Sequence, residues 1–128
     1  MADLLNIEGT PKTPIIKFYP ATGKLDLKGR SIPENSIEFY KPLIDSLELF
    51  STAPTKEMSV NIHLEYFNTS SSKCILDVFK KLEYIHKGGN SSVIINWHYE
   101  QDDEDMLEAG EDYQAIIAVP FKMVEVEE

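Results

Sequence analysis

Apolar and polar residues alternate from Met58 to Phe67. Val60, Ile62, Leu64 and Tyr66 share one side of the segment, and Asn61, His63 and Glu65 the other. A period of two marks a half-buried strand. Beyond Phe67 the period changes: Ile75, Val78, Phe79, Leu82 and Ile85 recur at three- and four-residue spacing. That is the stripe of an amphipathic helix over about 70–87, stopped by Lys87-Gly88-Gly89-Asn90. The switch from strand to helix falls on Asn68-Thr69-Ser70-Ser71-Ser72-Lys73.

The same reading orders the rest of the chain. Residues 3–14 are a polar lead-in ending in the extended arm Thr10-Pro-Lys-Thr-Pro14. Ile15–Tyr19 and Lys24–Lys28 flank the turn residues Pro20-Ala-Thr-Gly23 and predict a hairpin. Gly29 to Glu34 reads as a loop. A first helix over about 34–50 starts at Pro33 or Asn35 and takes Ile37, Tyr40, Leu43, Ile44, Leu47 and Phe50 as its core stripe. Pro42 within it predicts a kink or a restart near 40–42. Ser92–Tyr99 is a strand with Val93, Ile95, Trp97 and Tyr99 on one face. Met106, Leu107, Gly110 and Tyr113 predict a short third helix, and Ala115–Val124 a last strand. Pro120 inside that strand argues for an edge position or a bulge. Glu125–Glu128 reads as a frayed tail.

The order β β α β α β α β predicts an α/β fold. Residues 1–128 form a single domain with a mixed, largely parallel sheet flanked by helices.

Charge and composition narrow the function. At 128 residues, 42% of them hydrophobic, the chain can bury a real core. A net charge of −10 argues against nucleic acid and anionic membrane, which call for clustered Lys and Arg. There is no apolar run long enough to span a bilayer and no basic leader, so a cytoplasmic location is expected. A single cysteine, Cys74, fits a reducing compartment and sits near the helix stripe as a core thiol. In that compartment the sequons at Asn68 and Asn90 carry no glycan.

Catalytic arrangements are weak. Ser70-Ser-Ser-Lys73 matches the Ser-x-x-Lys pattern of acyl-transferring serine enzymes, but the companion motifs are absent. His63, His86 and His98 lie on different elements, and His63 and His86 read as solvated. The run from Glu100 to Asp112 holds eight acids and no base, without the glycine and spacing of a calcium loop. No metal site, no cofactor and no nucleophile–base set is expected. A small enzyme using the Ser70–Lys73 cluster or an acidic metal site remains the alternative.

The strand–helix junction is the stronger candidate. The first N–H groups of a helix lack internal partners, and Asn, Ser and Thr side chains supply them. One cap needs one such side chain, yet four hydroxyls stand in a row. Lys73 reads as lying in the first turn, where the helix dipole disfavours a cation unless an anion joins it. The residues therefore suggest a phosphorylatable hydroxyl, with Asn68, Ser70, Ser71, Ser72 and Lys73 as phosphate or partner contacts. A scaffold whose hydroxyls only cap the helix is the plainer reading.

Three segments extend this. Tyr66-Phe-Asn-Thr-Ser-Ser-Ser-Lys73, Ser31-Ile-Pro-Glu-Asn-Ser36 leading to Phe39-Tyr40 and Pro42, and Trp97-His-Tyr99 resemble the SiaC family of bacterial regulatory phosphoproteins over nearly the whole chain. The resemblance implies a fold and logic like those of STAS-type anti-sigma-factor antagonists. It implies Thr69 as phosphoacceptor, a SiaB-type kinase and a SiaA-type metal-dependent phosphatase. It also implies a target bound by the unphosphorylated form, a diguanylate cyclase in the best-known case, with control of cyclic-di-GMP and biofilm formation. From chemistry alone Ser70 is a rival acceptor, and only the resemblance ranks Thr69 first.

Overall fold

A computed structural model describes residues 4–127. Six strands form one sheet in the order β1-β2-β3-β4-β5-β6. They are β1 (Leu5–Ile7), β2 (Ile15–Tyr19), β3 (Lys24–Ser31), β4 (Glu57–Phe67), β5 (Ser92–Glu100) and β6 (Phe121–Val126). The first three pair antiparallel, and β3 to β6 run parallel. Each parallel step is bridged by a helix: α1 (Ser36–Ser51), α2 (Thr69–Lys87) and α3 (Glu104–Ile116). The expected mixed, largely parallel α/β sheet is present.

Alternation decides which face the helices cover. Leu25 and Leu27, Val60, Ile62 and Leu64, and Val93, Ile95 and Trp97 are buried together with Leu43, Leu47, Val78, Phe79 and Leu82 of the helices. The residues between them on each strand point the other way. Lys17, Lys24, Lys28, Ile94 and Lys122 are exposed there. The molecule is therefore two layers, with one sheet face under the helices and the other bare.

Several boundaries differ from the sequence reading. The lead-in contains β1, whose Asn6 pairs with Lys17. Three residues are too few for a readable period, and Asp3, at the start of that lead-in, lies outside the described residues. Strand β3 continues through Gly29 to Ser31 because β4 is there to pair with it. Helix α1 passes through Pro42 without interruption. Pro42 and Glu38, whose carbonyl loses its partner, are both on the exposed side, and buried Tyr40, Leu43, Leu47 and Phe50 hold the helix down. Ile37, assigned to the core stripe, is 78% exposed because it lies in the first turn, off the packed side.

Helix α3 includes Ala115 and Ile116, and Pro120 precedes β6, which is an edge strand as the proline argued. Glu125 and Val126 belong to β6 rather than to a tail, and Glu128 lies outside the described residues.

Tyr66 is the informative exception. The register steps from Gly29 opposite Leu64 to Arg30 opposite Tyr66, so Glu65 is an extra residue in β4. Such a bulge inverts the alternation. Tyr66 turns outward, 51% exposed, and Phe67 turns in to meet Trp97 edge-on at 6.2 Å. The bulge re-aims the chain at the point where it enters α2.

Candidate functional site

Asn68 caps α2: its side chain accepts from Ser71 N–H at 2.8 Å, and its carbonyl accepts from Ser72 N–H at 2.9 Å. Its own N–H donates to Ser31 O at 3.0 Å, which ties the cap to the end of β3. None of the four hydroxyls is the cap, so their roles must be found elsewhere.

Three of them are structural. Ser71 is fully buried. Its Oγ donates to Ser31 O at 3.0 Å and accepts from Ser31 Oγ at 2.8 Å, and Ser31 Oγ lies 2.6 Å from Tyr40 Oη. Since the Ser31 proton is committed to Ser71, Tyr40 must donate to Ser31. Burial pushes the Tyr40 phenol well above its ordinary range, outweighing the hydrogen bond to Ser31 that lowers it. This neutral hydroxyl relay joins α1, β3 and α2. Ser70 is exposed but engaged, with its Oγ 2.7 Å from Ser36 Oγ and donating to Asn68 Oδ1 at 3.2 Å. Ser72 Oγ is 3.0 Å from Tyr113 Oη, which donates to Ser72 O at 2.8 Å.

Thr69 differs. It is the first residue of α2 and is exposed. Among the described residues its Oγ1 makes no hydrogen bond, and the N–H groups of Thr69 and Ser70 have no acceptor. Lys73 is exposed and forms no ion pair among the described residues. It follows Thr69 by four residues, on the same side of the helix. The sequence pattern alone puts Lys73 in the first turn. With Asn68 as cap it begins the second, so the dipole argument for an anion weakens while the side-by-side argument for Thr69 gains.

The surroundings bear on the alternatives. Ser70 Oγ has Ser36 and Asn68 as partners, not Lys73. Grooves of about 600 and 670 Å³ lie elsewhere, beside His63 and Glu100 and beside Met58 and Pro120. Among the described residues no group of three or more His, Cys, Asp or Glu could hold a metal ion. Cys74 is buried, and that burial raises its thiol pKa. No helix of the described residues is long and apolar enough to cross a membrane.

The histidines are not simply solvated. His86 Nδ1 accepts from Val93 N–H at 3.1 Å. His63 stacks on His98 with ring centroids 5.5 Å apart and lies 3.5 Å from Glu100. The partners Ser31, Ser36, Tyr40 and Tyr113 were not readable as site residues. They stand far from residues 68–73 in sequence, and Ser31, Ser36 and Tyr40 signalled only through the family resemblance.

The chain matches the model of the SiaC family, described as SiaC family regulatory phosphoprotein, over residues 7–126. It is similar to an uncharacterised protein of Pseudomonas aeruginosa strain UCBPP-PA14, 36% identical over 121 residues that span 94% of each chain. Two crystal structures from Pseudomonas aeruginosa are also similar. One is diguanylate cyclase SiaD in complex with its activator SiaC, in which the matching chain has a TM-score of 0.89, is 34% identical, and is 99% covered by 95% of this chain. The other is apo-SiaC, with a TM-score of 0.86 and 34% identity over 95% of this chain and 98% of that one.

Proposed function

The chain belongs to the SiaC family of regulatory phosphoproteins, and from that premise we propose that it is a binding protein, not an enzyme, switched by phosphorylation of Thr69. Its unphosphorylated form binds and regulates a diguanylate cyclase, in line with the SiaD complex of its Pseudomonas relative. A SiaB-type kinase adds the phosphate and a SiaA-type phosphatase removes it, in the cytoplasm.

One observation carries the choice of Thr69. Of the four adjacent hydroxyls it is the one both exposed and free of hydrogen bonds, so modifying it breaks nothing. A phosphate there brings roughly −1.5 to −2 charge and three acceptor oxygens. The spare N–H groups and positive end of α2 favour it. Lys73 one turn on is its natural counter-ion. Lys73 is also three residues after Ser70, but the Ser70 hydroxyl is already engaged by Ser36 and Asn68.

The module therefore need not unfold when modified. What changes is the surface a partner meets. A dianion in a contact built for a neutral hydroxyl must be desolvated or repelled. A loss of about 3–4 kcal/mol there weakens binding a few hundredfold.

The test is phosphopeptide mapping of the protein from its native cells, paired with binding of the cognate cyclase to Thr69→Ala and Thr69→Glu. The expected result is one phosphoryl group on Thr69, binding by the alanine variant and loss of binding by the glutamate variant. A phosphate on Ser70 alone, or equal binding by both variants, overturns this assignment.

A further inference from the structure

The bare sheet face gathers its bases on the β2–β3 half. In register across the sheet run Lys17, Asp26, Asn61, Asn96 and Lys122. Asn96 donates to Asn61 Oδ1 and Asn61 to Asp26 Oδ1, both at 3.0 Å, so Asp26 is already engaged. On the β2–β3 half of this face Lys17, Lys24, Lys28 and Arg30 are exposed around that single acid. Four bases against one acid make the β2–β3 half positive in a chain of net charge −10, while Glu57, Glu65 and Glu100 lie beside it on β4 and β5. Tyr19, Ile94 and Tyr66 add exposed apolar surface to the same face, at 37%, 38% and 51%. Of these exposed residues, Tyr and Arg are types that protein contacts favour.

The complementary surface is on the same molecule. Strand β5 ends at Glu100, and exposed Asp102, Glu104 and Asp105 follow it into α3. These acids stand beyond the end of β5, across the sheet from the β2–β3 lysines. We propose that the bare face is a docking surface for a second copy of this chain, with the β2–β3 bases of each copy against the acids after β5 of the other. Bases on one side and acids on the other let a two-fold axis satisfy both pairs at once. The proposal does not depend on the reading of the Thr69 site, which begins three residues beyond Tyr66.

Sedimentation velocity of the full chain in about 0.05 M and about 1 M salt tests this, because screening shortens the Debye length from above 10 Å to about 3 Å. The expected result is a particle of twice the 14.6 kDa chain mass at low salt that shifts to monomer at high salt. A Lys17→Glu/Lys28→Glu variant and an Asp102→Lys/Asp105→Lys variant are each expected to be monomeric at low salt with unchanged circular dichroism. Mixed together, they should re-form the dimer, since each reversed patch then meets its opposite. A monomer under all conditions overturns the proposal, as does a dimer untouched by the reversals or a mixture that stays monomeric.

Discussion

Tyr113 Oη donates to the Ser72 carbonyl at 2.8 Å while Ser72 Oγ lies 3.0 Å from the same phenol. A side chain from α3 thus anchors the fourth hydroxyl of α2's first turn, 41 residues away in sequence. Burial raises the Tyr113 pKa more than the Ser72 contact lowers it, so it stays a neutral donor. Tyr113→Phe should cost about 1 kcal/mol. Urea unfolding should show that shift with the slope unchanged.

The cap and the proposed switch are separable. Asn68→Ala removes the acceptor for Ser71 N–H and should cost about 1 kcal/mol. Thr69→Ala removes a hydroxyl with no partner and should change stability by less than about 0.5 kcal/mol. Thermal or denaturant melts of the two variants compare them directly. A large loss for Thr69→Ala would return the hydroxyl to a structural role.

Ser71 should be intolerant. Its Oγ both accepts from Ser31 and donates to the Ser31 carbonyl in a fully buried setting. Ser71→Ala strands a buried hydroxyl and should cost roughly 1–3 kcal/mol. The variant should still be phosphorylated at Thr69, which mass mapping after kinase treatment would reveal.

Helix α3 sits on Trp97 at the limit of approach. Trp97 Nε1 donates to Met106 O at 2.9 Å. A Cβ on Gly110 would come within 2.5 Å of the Trp97 ring and 2.6 Å of Met123. Gly110→Ala should therefore destabilise by about 1–3 kcal/mol through overpacking, measured as a lower urea midpoint. Because Tyr113 rides on this helix, its contact with Ser72 should loosen too, seen as faster amide exchange in the first turn of α2.

The His63–His98 stack predicts a weak acid limb. Burial is the main cause holding the His98 pKa below its ordinary 6.5, His63 adds to it, and Asp26 opposes it. A depressed pKa means that the unfolded chain takes up the proton first. Stability is then intact above pH 6.5 and declines as pH falls through 6.5 to the lowered folded value. His98→Gln should flatten that part of a stability-against-pH curve. An identical decline in variant and wild type would remove His98 as its source.

By itself the sequence determined the elements whose period is long enough to repeat. Met58–Leu64 reads as a strand and Ile75–Ile85 as a helix because burial on one side leaves a regular imprint. The parallel arrangement followed from their alternation, and the strand–helix junction was visible because four hydroxyls exceed what a cap requires. What lay outside the sequence was whatever depends on a neighbour. The pairing that makes Leu5–Ile7 a strand, the bulge that turns Tyr66 out and Phe67 in, and Pro42's tolerance inside α1 are set by partners distant in the chain. The same holds at the site. Thr69 and Ser70 are chemically near-equivalent in sequence. Only the fold, by bringing Ser36 to Ser70, Ser31 to Ser71 and Tyr113 to Ser72, leaves Thr69 as the hydroxyl without a partner.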